Sequence, residues 1–198
     1  MFSPRERKLE RGWPGRIEGD LVIQLAAQTL QAFFTGGGRA REHAEYPLSE
    51  VVLLAPVLHP PSVRVFDGPD SFRFANPAAI VAADADVSPP AGASRLVPVR
   101  RRAAVVGAGG AIGGFTDLVE WTAPELAGEK AHDFALALGP VVTTPDEGAP
   151  PGVDWERIVA HASANTRLLP GDVLAAPGDA QPGGDPVSEF LTTGATPS

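Results

Sequence analysis

Four side chains near the middle of the sequence have the types that proton transfer requires: Glu120, Lys130, His132 and Asp133. Carboxylate, amine and imidazole groups can accept and donate protons at a reacting atom when a fold holds them together. The same side chains in a solvated loop would have no such role, and the local sequence favours that loop. The elements that position these residues therefore decide between the two interpretations.

Three consecutive arginines lie in the stretch VRRRAAVVG, which has the composition of a strand. Side chains alternate between the faces of a strand, so Arg101 shares a face with Val99, while Arg100 and Arg102 point the other way. If one face is buried, at least one arginine points toward a core or a site. The alternative is an edge strand whose arginines lie in water and discourage edge pairing.

The glycine-rich stretch VVGAGGAIGG follows this strand and is similar to a dinucleotide-binding turn. The spacing of Gly107, Gly109 and Gly113 is one residue off the usual pattern, and no clean helix follows. We therefore predict a glycine-rich hairpin loop. A dinucleotide-dependent reductase is a distant alternative that requires a helix after these glycines.

Composition narrows the class of protein. Of 198 residues, 43% are hydrophobic and 20% charged, which is typical of a globular chain. With 22 glycines and 21 prolines, turns must be abundant, so a helical bundle is excluded. There is no cysteine, which excludes a disulfide framework, a thiolate nucleophile and a cysteine-based metal site.

Charge and hydropathy indicate the partners and the compartment. The net charge is −8, and residues 103–198 carry 3 basic and 13 acidic side chains, so a nucleic-acid partner is not expected. The longest apolar stretch, residues 134–142, is far shorter than the roughly 20 residues of a membrane-spanning helix. The charged N-terminus has no apolar segment after it, so we expect no signal peptide and a cytoplasmic protein.

Hydrophobic patterning predicts many short strands and few helices, which favours a β-rich α+β fold. The expected elements are a hairpin at 15–25, a helix at 26–34, strands at 51–57, 62–66, 71–74, 78–83 and 99–107, a strand and loop at 132–147, and a helix at 154–166.

The stretch KAHDFALALGPVVTTPDE (130–147) resembles the Lys-x-x-Asp-Phe…Leu-Gly-Pro…Thr-Pro-Asp-Glu segment of the fumarylacetoacetate hydrolase family. Supporting stretches occur in the family's order: RGWPGRIEGD, LLAPVLHPPSVRVF, FRFANPAAIV, RRRAAVVGAGGAIGGFT and HASANTRLLPGDVL. The resemblance implies a trimmed version of that family's mixed β-roll and a homodimer. It divides the chain into an N-terminal hairpin and helix extension (1–50), the β-roll domain (51–180) and a flexible tail (181–198).

The resemblance also implies a chemistry. Family members break C–C bonds next to carbonyls, or tautomerise β-dicarbonyl acids, with a Mg²⁺ or Mn²⁺ held by a Glu-x-Glu pair and an Asp. In this sequence those positions fall on Val99, Arg101 and Glu120. Because a hard cation requires carboxylate oxygens, we expect neither a metal nor another cofactor.

Other family features are changed as well. The lid that carries the family's histidine is reduced to the turn DGPD (67–70), and the family's arginine of the Ser-Ala-Arg-Asp stretch is Pro124. The late Gly-Thr loop is replaced by residues 176–185.

Lys130 matches the family's active-site lysine. Our hypothesis is that Arg101 and Lys130 replace the charge of the metal, with Glu120 as counter-ion, and stabilise an enolate. The alternative is a degenerate pocket in which an Arg101–Glu120 pair fills the space of a lost metal. The candidate residues are Arg101, Glu120, Lys130 and His132 as catalytic groups, and Asp133 and Arg73 as substrate-binding groups.

Two classes of function follow. The first is a metal-independent enzyme that cleaves, decarboxylates, tautomerises or cyclises a small carbonyl-rich molecule, for example one of secondary metabolism. The second is a non-catalytic scaffold for binding or assembly. Convergence of Arg101, Glu120, Lys130 and His132 on one open cavity would favour the enzyme. We further expect Arg101→Ala and Lys130→Ala each to lower activity with little unfolding.

Overall fold

A computed structural model describes residues 1–180, so the expected flexible tail, 181–198, lies outside the described residues. The strands are β1 Phe2–Pro4, β2 Gly15–Glu18, β3 Leu21–Leu25, β4 Glu42–Pro47, β5 Val51–Leu53, β6 Val63–Gly68, β7 Ser71–Ala75, β8 Ile80–Ala82, β9 Val97–Val106, β10 Ile112–Thr122, β11 Leu136–Leu138, β12 Val173–Ala175 and β13 Asp179–Ala180. The α-helices are α1 Leu30–Thr35 and α2 Trp155–Ser163, and short 3₁₀ turns cover Leu48–Glu50, Pro77–Ala79, Ala108–Gly110, Gly128–Ala131 and Pro145–Glu147. None of the helices within residues 1–180 is long and apolar enough to span a membrane.

An eight-stranded mixed sheet forms the main body, in the order β7-β6-β12-β9-β10-β11-β8, with β13 also paired to β9. The pairs β12–β6 and β11–β8 are parallel, and the other pairs are antiparallel. The outermost strands, β7 and β8, are joined by only a short turn through Asn76, so the sheet curls until its two ends lie near each other. This curled sheet confirms the expected β-rich α+β class.

The β9–β10 hairpin is the longest pairing of the sheet and carries the central side chains. The glycine-rich stretch forms its turn: Gly109 and Gly110 have φ of 67° and 84°, where a side chain is disfavoured. A Cβ added to Gly107 would lie 2.9 Å from the Cα of Gly113, so only glycine allows the strands to meet here. The predicted hairpin loop is confirmed, and the reductase alternative is wrong because strand β10, not a helix, follows.

The two faces of the curled sheet bury different cores. The interior face is lined by Val63, Val65, Ala103, Val105, Leu118, Leu136, Leu138, Val173 and Ala175. The outer face is covered by α2, which contributes Trp155, Ile158 and Ala162 at helical spacing. Because Ala103 and Leu118 face inward, residues two positions away on the same strands do so too, and these include Arg101 and Glu120.

The N-terminal region contains the three-stranded sheet β2-β3-β4 and the pair β1–β5. The expected hairpin at 15–25 is present. The expected helix at 26–34 is shorter and shifted: α1 starts only after Thr29, whose Oγ1 accepts a hydrogen bond from the Ala32 amide at 3.1 Å. The expected strand at 51–57 ends at Leu53.

Candidate active site

An arginine–glutamate pair lies at the centre of the site, inside the curl of the sheet. In the β9–β10 register Arg101 is opposite Leu118 and Glu120 is opposite Val99, which makes Arg101 and Glu120 diagonal neighbours on one face. Arg101 Nε and Nη2 lie 3.1 and 3.0 Å from Glu120 Oε2. The two side chains are 8% and 1% exposed. Strand alternation together with the family resemblance predicts this contact, and the structure confirms it.

The guanidinium of Arg101 is also tied to the backbone. Its Nη1 donates to the carbonyl oxygens of Phe66 and Ala176, at 3.0 and 3.2 Å. The chain passes closely over it at Gly178, where an added Cβ would lie 2.5 Å from Arg101 Cγ. Burial lowers the pKa of Arg101, the Asp67 carboxylate opposes this shift, and a second arginine adds to it.

This bonding changes what we predict for one variant. Removing the Arg101 side chain takes one cation from a buried carboxylate and a donor from two carbonyls. Such losses destabilise a fold, so we predict that Arg101→Ala lowers stability as well as activity.

Arg73 is the second cation at this carboxylate. It lies on β7 at one end of the sheet and faces inward, because Ala75, two residues later, belongs to the interior core. Arg73 Nη2 pairs with Glu120 Oε1, and the Arg73 side chain is 25% exposed. Sequence reasoning named Arg73 only as a substrate-binding residue, since no local pattern connects it to a glutamate far along the chain.

Lys130 lies outside this cluster. It belongs to the 3₁₀ turn Gly128–Ala131, its side chain is 78% exposed, and its Nζ lies 2.6 Å from Asp133 Oδ2. The second cation at Glu120 is therefore Arg73 rather than Lys130. This corrects the expectation that Arg101 and Lys130 share Glu120 as their counter-ion. Asp133 engages the exposed lysine.

His132 follows the same turn and is partly buried. Burial lowers its pKa, and the positive charge of Arg73 lowers it further, against the opposing charges of Glu129, Asp133 and Asp67. The imidazole is therefore predominantly neutral at pH 7. The loop is fixed beside β7, because Asn76 Nδ2 donates to the backbone oxygen of Asp133 at 3.0 Å.

The residues do not fit the divalent metal that the family resemblance implies. Of the three matching positions only Glu120 carries a carboxylate, and its two oxygens face Arg73 and Arg101. Within residues 1–180, no three His, Asp or Glu side chains are grouped so that they could hold a metal ion. Two guanidinium groups at one carboxylate repel a dication, so these three residues do not form a divalent-metal site.

Two surface cavities lie elsewhere. One of about 420 Å³ is lined mainly by the N-terminal sheet and its neighbours, including Trp13, Gln24 and His43. The other, of about 340 Å³, lies beside β10 and includes Arg102, Asp117 and residues 147–151. Neither is lined by Arg101, Glu120, Lys130 or His132. The expected convergence of all four on one open cavity is therefore not met by these two cavities, although Arg101 and Glu120 do contact each other.

The sequence matches no protein-family model and no curated protein. Solved structures do match. Maleylpyruvate hydrolase from Sphingobium sp. SYK-6 gives a TM-score of 0.72 at 19% identity, over 89% of this chain and 90% of that chain. Its complex with manganese(II) and pyruvate gives 0.70 at 19% identity, over 87% and 88%. A 5-carboxymethyl-2-hydroxymuconate delta-isomerase from Mycobacterium smegmatis gives 0.58 at 18% identity, over 85% and 84%.

At these identities the likeness establishes the fold and nothing finer. Similar structures include both a hydrolase and an isomerase, so one fold serves more than one reaction. The chain therefore has the curled, sheet-rich fold of the fumarylacetoacetate hydrolase-like proteins, as the sequence resemblance predicts.

Proposed function

We propose that this protein is an enzyme that enolises a small carbonyl-rich acid without a divalent metal. The observation that carries the proposal is the buried cluster of Arg73, Glu120 and Arg101, in which two of the positions that match the family's metal ligands lie in one ion-pair network. Fixed positive charge in a desolvated site stabilises an enolate oxygen much as an oxyanion hole does.

The roles within the cluster follow from exposure. Arg101 and Glu120 are buried and already bonded, so their role is to fix the positions of the charges in the site. Arg73 is partly exposed and is the group that can face a substrate oxygen. Its guanidinium carries several donors, so it can bind more than one substrate oxygen.

The proposed proton acceptor is His132. A neutral imidazole can remove the proton from the carbon next to a carbonyl, and burial together with Arg73 keeps His132 neutral at pH 7. The C–H electron pair then forms the C=C bond, the carbonyl π pair moves to oxygen, and Arg73 stabilises that oxygen. Return of a proton completes tautomerisation. In C–C cleavage and decarboxylation the enolate is instead the leaving group. Water adds to a neighbouring carbonyl carbon, or a carboxylate departs as CO₂, and the pair of the broken C–C bond becomes the enolate whose oxygen Arg73 stabilises. A proton returned to carbon completes the reaction.

A second candidate function is a non-catalytic scaffold. Both oxygens of Glu120 already face arginines, and the two cavities described above lie away from the cluster. In that case the arginines only fill the space of a lost metal, and the fold serves binding or assembly.

Hydrogen exchange at carbon separates the two candidates. Pyruvate is incubated with the protein in D₂O with EDTA, and ¹H NMR follows the loss of its methyl signal. We expect the protein to accelerate exchange, and Arg73→Met to slow it by about 10²–10³-fold, the effect of removing one oxyanion donor. His132→Gln should slow it by about 10²–10⁴-fold, the usual contribution of a general base.

Matched controls come from the N-terminal sheet. Arg16→Met removes an exposed arginine that pairs with Glu18 and Glu42, and His43→Gln removes an exposed histidine of β4. Both should exchange pyruvate at the unmodified rate. If the protein exchanges neither pyruvate nor 2-oxobutanoate, and does not cleave 2,4-dioxopentanoate, the scaffold is favoured.

A further inference from the structure

We propose that the cluster is a carboxylate-exchange site, in which the carboxylate of a small 2-oxo acid displaces Glu120 from Arg73. This inference rests on the proposed function for the substrate class, since a 2-oxo acid places a carboxylate next to the enolising carbonyl. In the absence of substrate, the Glu120 carboxylate thus binds Arg73 where the substrate carboxylate would bind.

Accessibility divides the cluster into a fixed part and an exchangeable part. Glu120 and Arg101 are 1% and 8% exposed, whereas Arg73 is 25% exposed and lies on an end strand of the sheet. An incoming anion therefore meets Arg73 first. Arg101 has little room to move, because its Nη1 is bonded to two backbone carbonyls and Gly178 packs against its stem.

The two oxygens of Glu120 have different partners. Arg101 approaches Oε2 with both Nε and Nη2, whereas Arg73 pairs with Oε1. If Arg73 turns to an external carboxylate, Glu120 keeps the arginine that holds it in two places. The exchange therefore does not leave a buried carboxylate without a cation, which is the costly outcome for such a pair.

Within the cluster of Arg73, Glu120 and Arg101, positive charge exceeds negative charge by one. The cluster holds two guanidinium groups against one carboxylate, and His132 is neutral at pH 7. The other charges that act on these groups are those of Asp67, Glu129 and Asp133, and Asp133 is engaged by Lys130. A planar guanidinium binds a planar carboxylate through two parallel hydrogen bonds, which favours a carboxylate as the group that Arg73 binds.

Isothermal titration with pyruvate tests the exchange. We expect the unmodified protein to bind pyruvate, acetate to compete with it, and Arg73→Met to weaken binding at least about tenfold, the size of a lost charge-assisted hydrogen bond. Glu120→Gln should strengthen binding about tenfold or more, because the resident competitor loses its charge. Glu18→Gln, on the exposed end of β2, is the matched control and should bind like the unmodified protein.

Folding of the variants is checked by circular dichroism. Arg73→Met preserves the Arg101–Glu120 pair, so it keeps the test decisive even if Glu120→Gln unfolds. Unchanged pyruvate affinity in Arg73→Met, or weaker binding in a folded Glu120→Gln, would overturn the exchange. Absence of pyruvate binding by the unmodified protein at millimolar concentration would overturn it as well.

The result can be separated from the proposed function. Hydrogen exchange that is slowed in Arg73→Met while pyruvate affinity is unchanged would preserve the enzyme and reject the carboxylate exchange. Pyruvate binding that depends on Arg73, without hydrogen exchange of pyruvate or 2-oxobutanoate and without cleavage of 2,4-dioxopentanoate, would preserve the anion site and reject the enzyme.

Discussion

Replacement of Arg101 by methionine is the most direct test of the buried cluster. Methionine retains much of the apolar stem but removes the guanidinium, so Glu120 keeps only Arg73 and the carbonyls of Phe66 and Ala176 lose their donor. Because Glu120 keeps Arg73, the cost comes from the lost charge-assisted bond to Glu120, about 1.5–3 kcal/mol, and from the carbonyls that lose this donor, about 1–3 kcal/mol, together about 3–6 kcal/mol. For a domain of this size each kcal/mol lowers the melting temperature by about 2–4 °C, so we expect a fall of about 6–24 °C.

Arg102→Met is the matched control, because Arg102 is the next residue on β9 and points to the opposite face. It pairs with Asp117 at 2.7 Å but is 48% exposed. Exposed pairs contribute about 0.2–1 kcal/mol, so its melting temperature should fall by no more than about 4 °C. Both variants are compared by differential scanning calorimetry and by the urea midpoint.

The double variant Arg101→Met with Glu120→Leu separates charge from packing. It removes the buried carboxylate and leaves Arg73, which reaches solvent. Apolar replacement of a buried pair is often neutral or stabilising, so the double variant should melt above Arg101→Met. The reasoning is refuted if Arg101→Met melts within about 2 °C of Arg102→Met, a difference below one kcal/mol at this size.

Three further predictions concern the same site. Millimolar Mg²⁺ or Mn²⁺ should not raise the melting temperature, whereas a specific site in the folded protein, with metal at a hundredfold excess over Kd, would add about 2.7 kcal/mol to the free energy of unfolding. A rise that Glu120→Gln abolishes would show that a metal site exists. The pKa of His132 is lower in the folded protein than in the unfolded chain, so the unfolded chain takes up the proton at a higher pH. The free energy of unfolding, followed by the urea midpoint, should therefore fall as pH drops below about 6.5, and it should fall less steeply in His132→Gln. Gly178→Val should destabilise by at least about 1–3 kcal/mol, because its Cβ would meet the Arg100 carbonyl at 2.2 Å and the Arg101 stem; an unchanged urea midpoint would contradict this packing.

Much of the local structure was predictable because its causes are local. A few neighbouring residues suffice to specify each of three elements: the turn at 67–70 between β6 and β7, the hairpin at 15–25 and the helix near 154–166. Strand β10 was missed because glycines and a polar alternation weaken its apolar pattern. It forms nonetheless, because pairing with β9 and β11 supplies its hydrogen bonds.

The sequence by itself determined that Arg101 lies on the opposite face of β9 from Arg100 and Arg102, since alternation along a strand is a property of the backbone. With the family resemblance, it also placed Arg101 beside Glu120, a contact that follows once the two strands pair. Only the tertiary structure decided that Arg73, rather than Lys130, completes the cluster. The curl of the sheet brings β7 to the interior beside Glu120, whereas Lys130 lies on a surface turn with Asp133, and no local pattern encodes a contact between residues so distant along the chain.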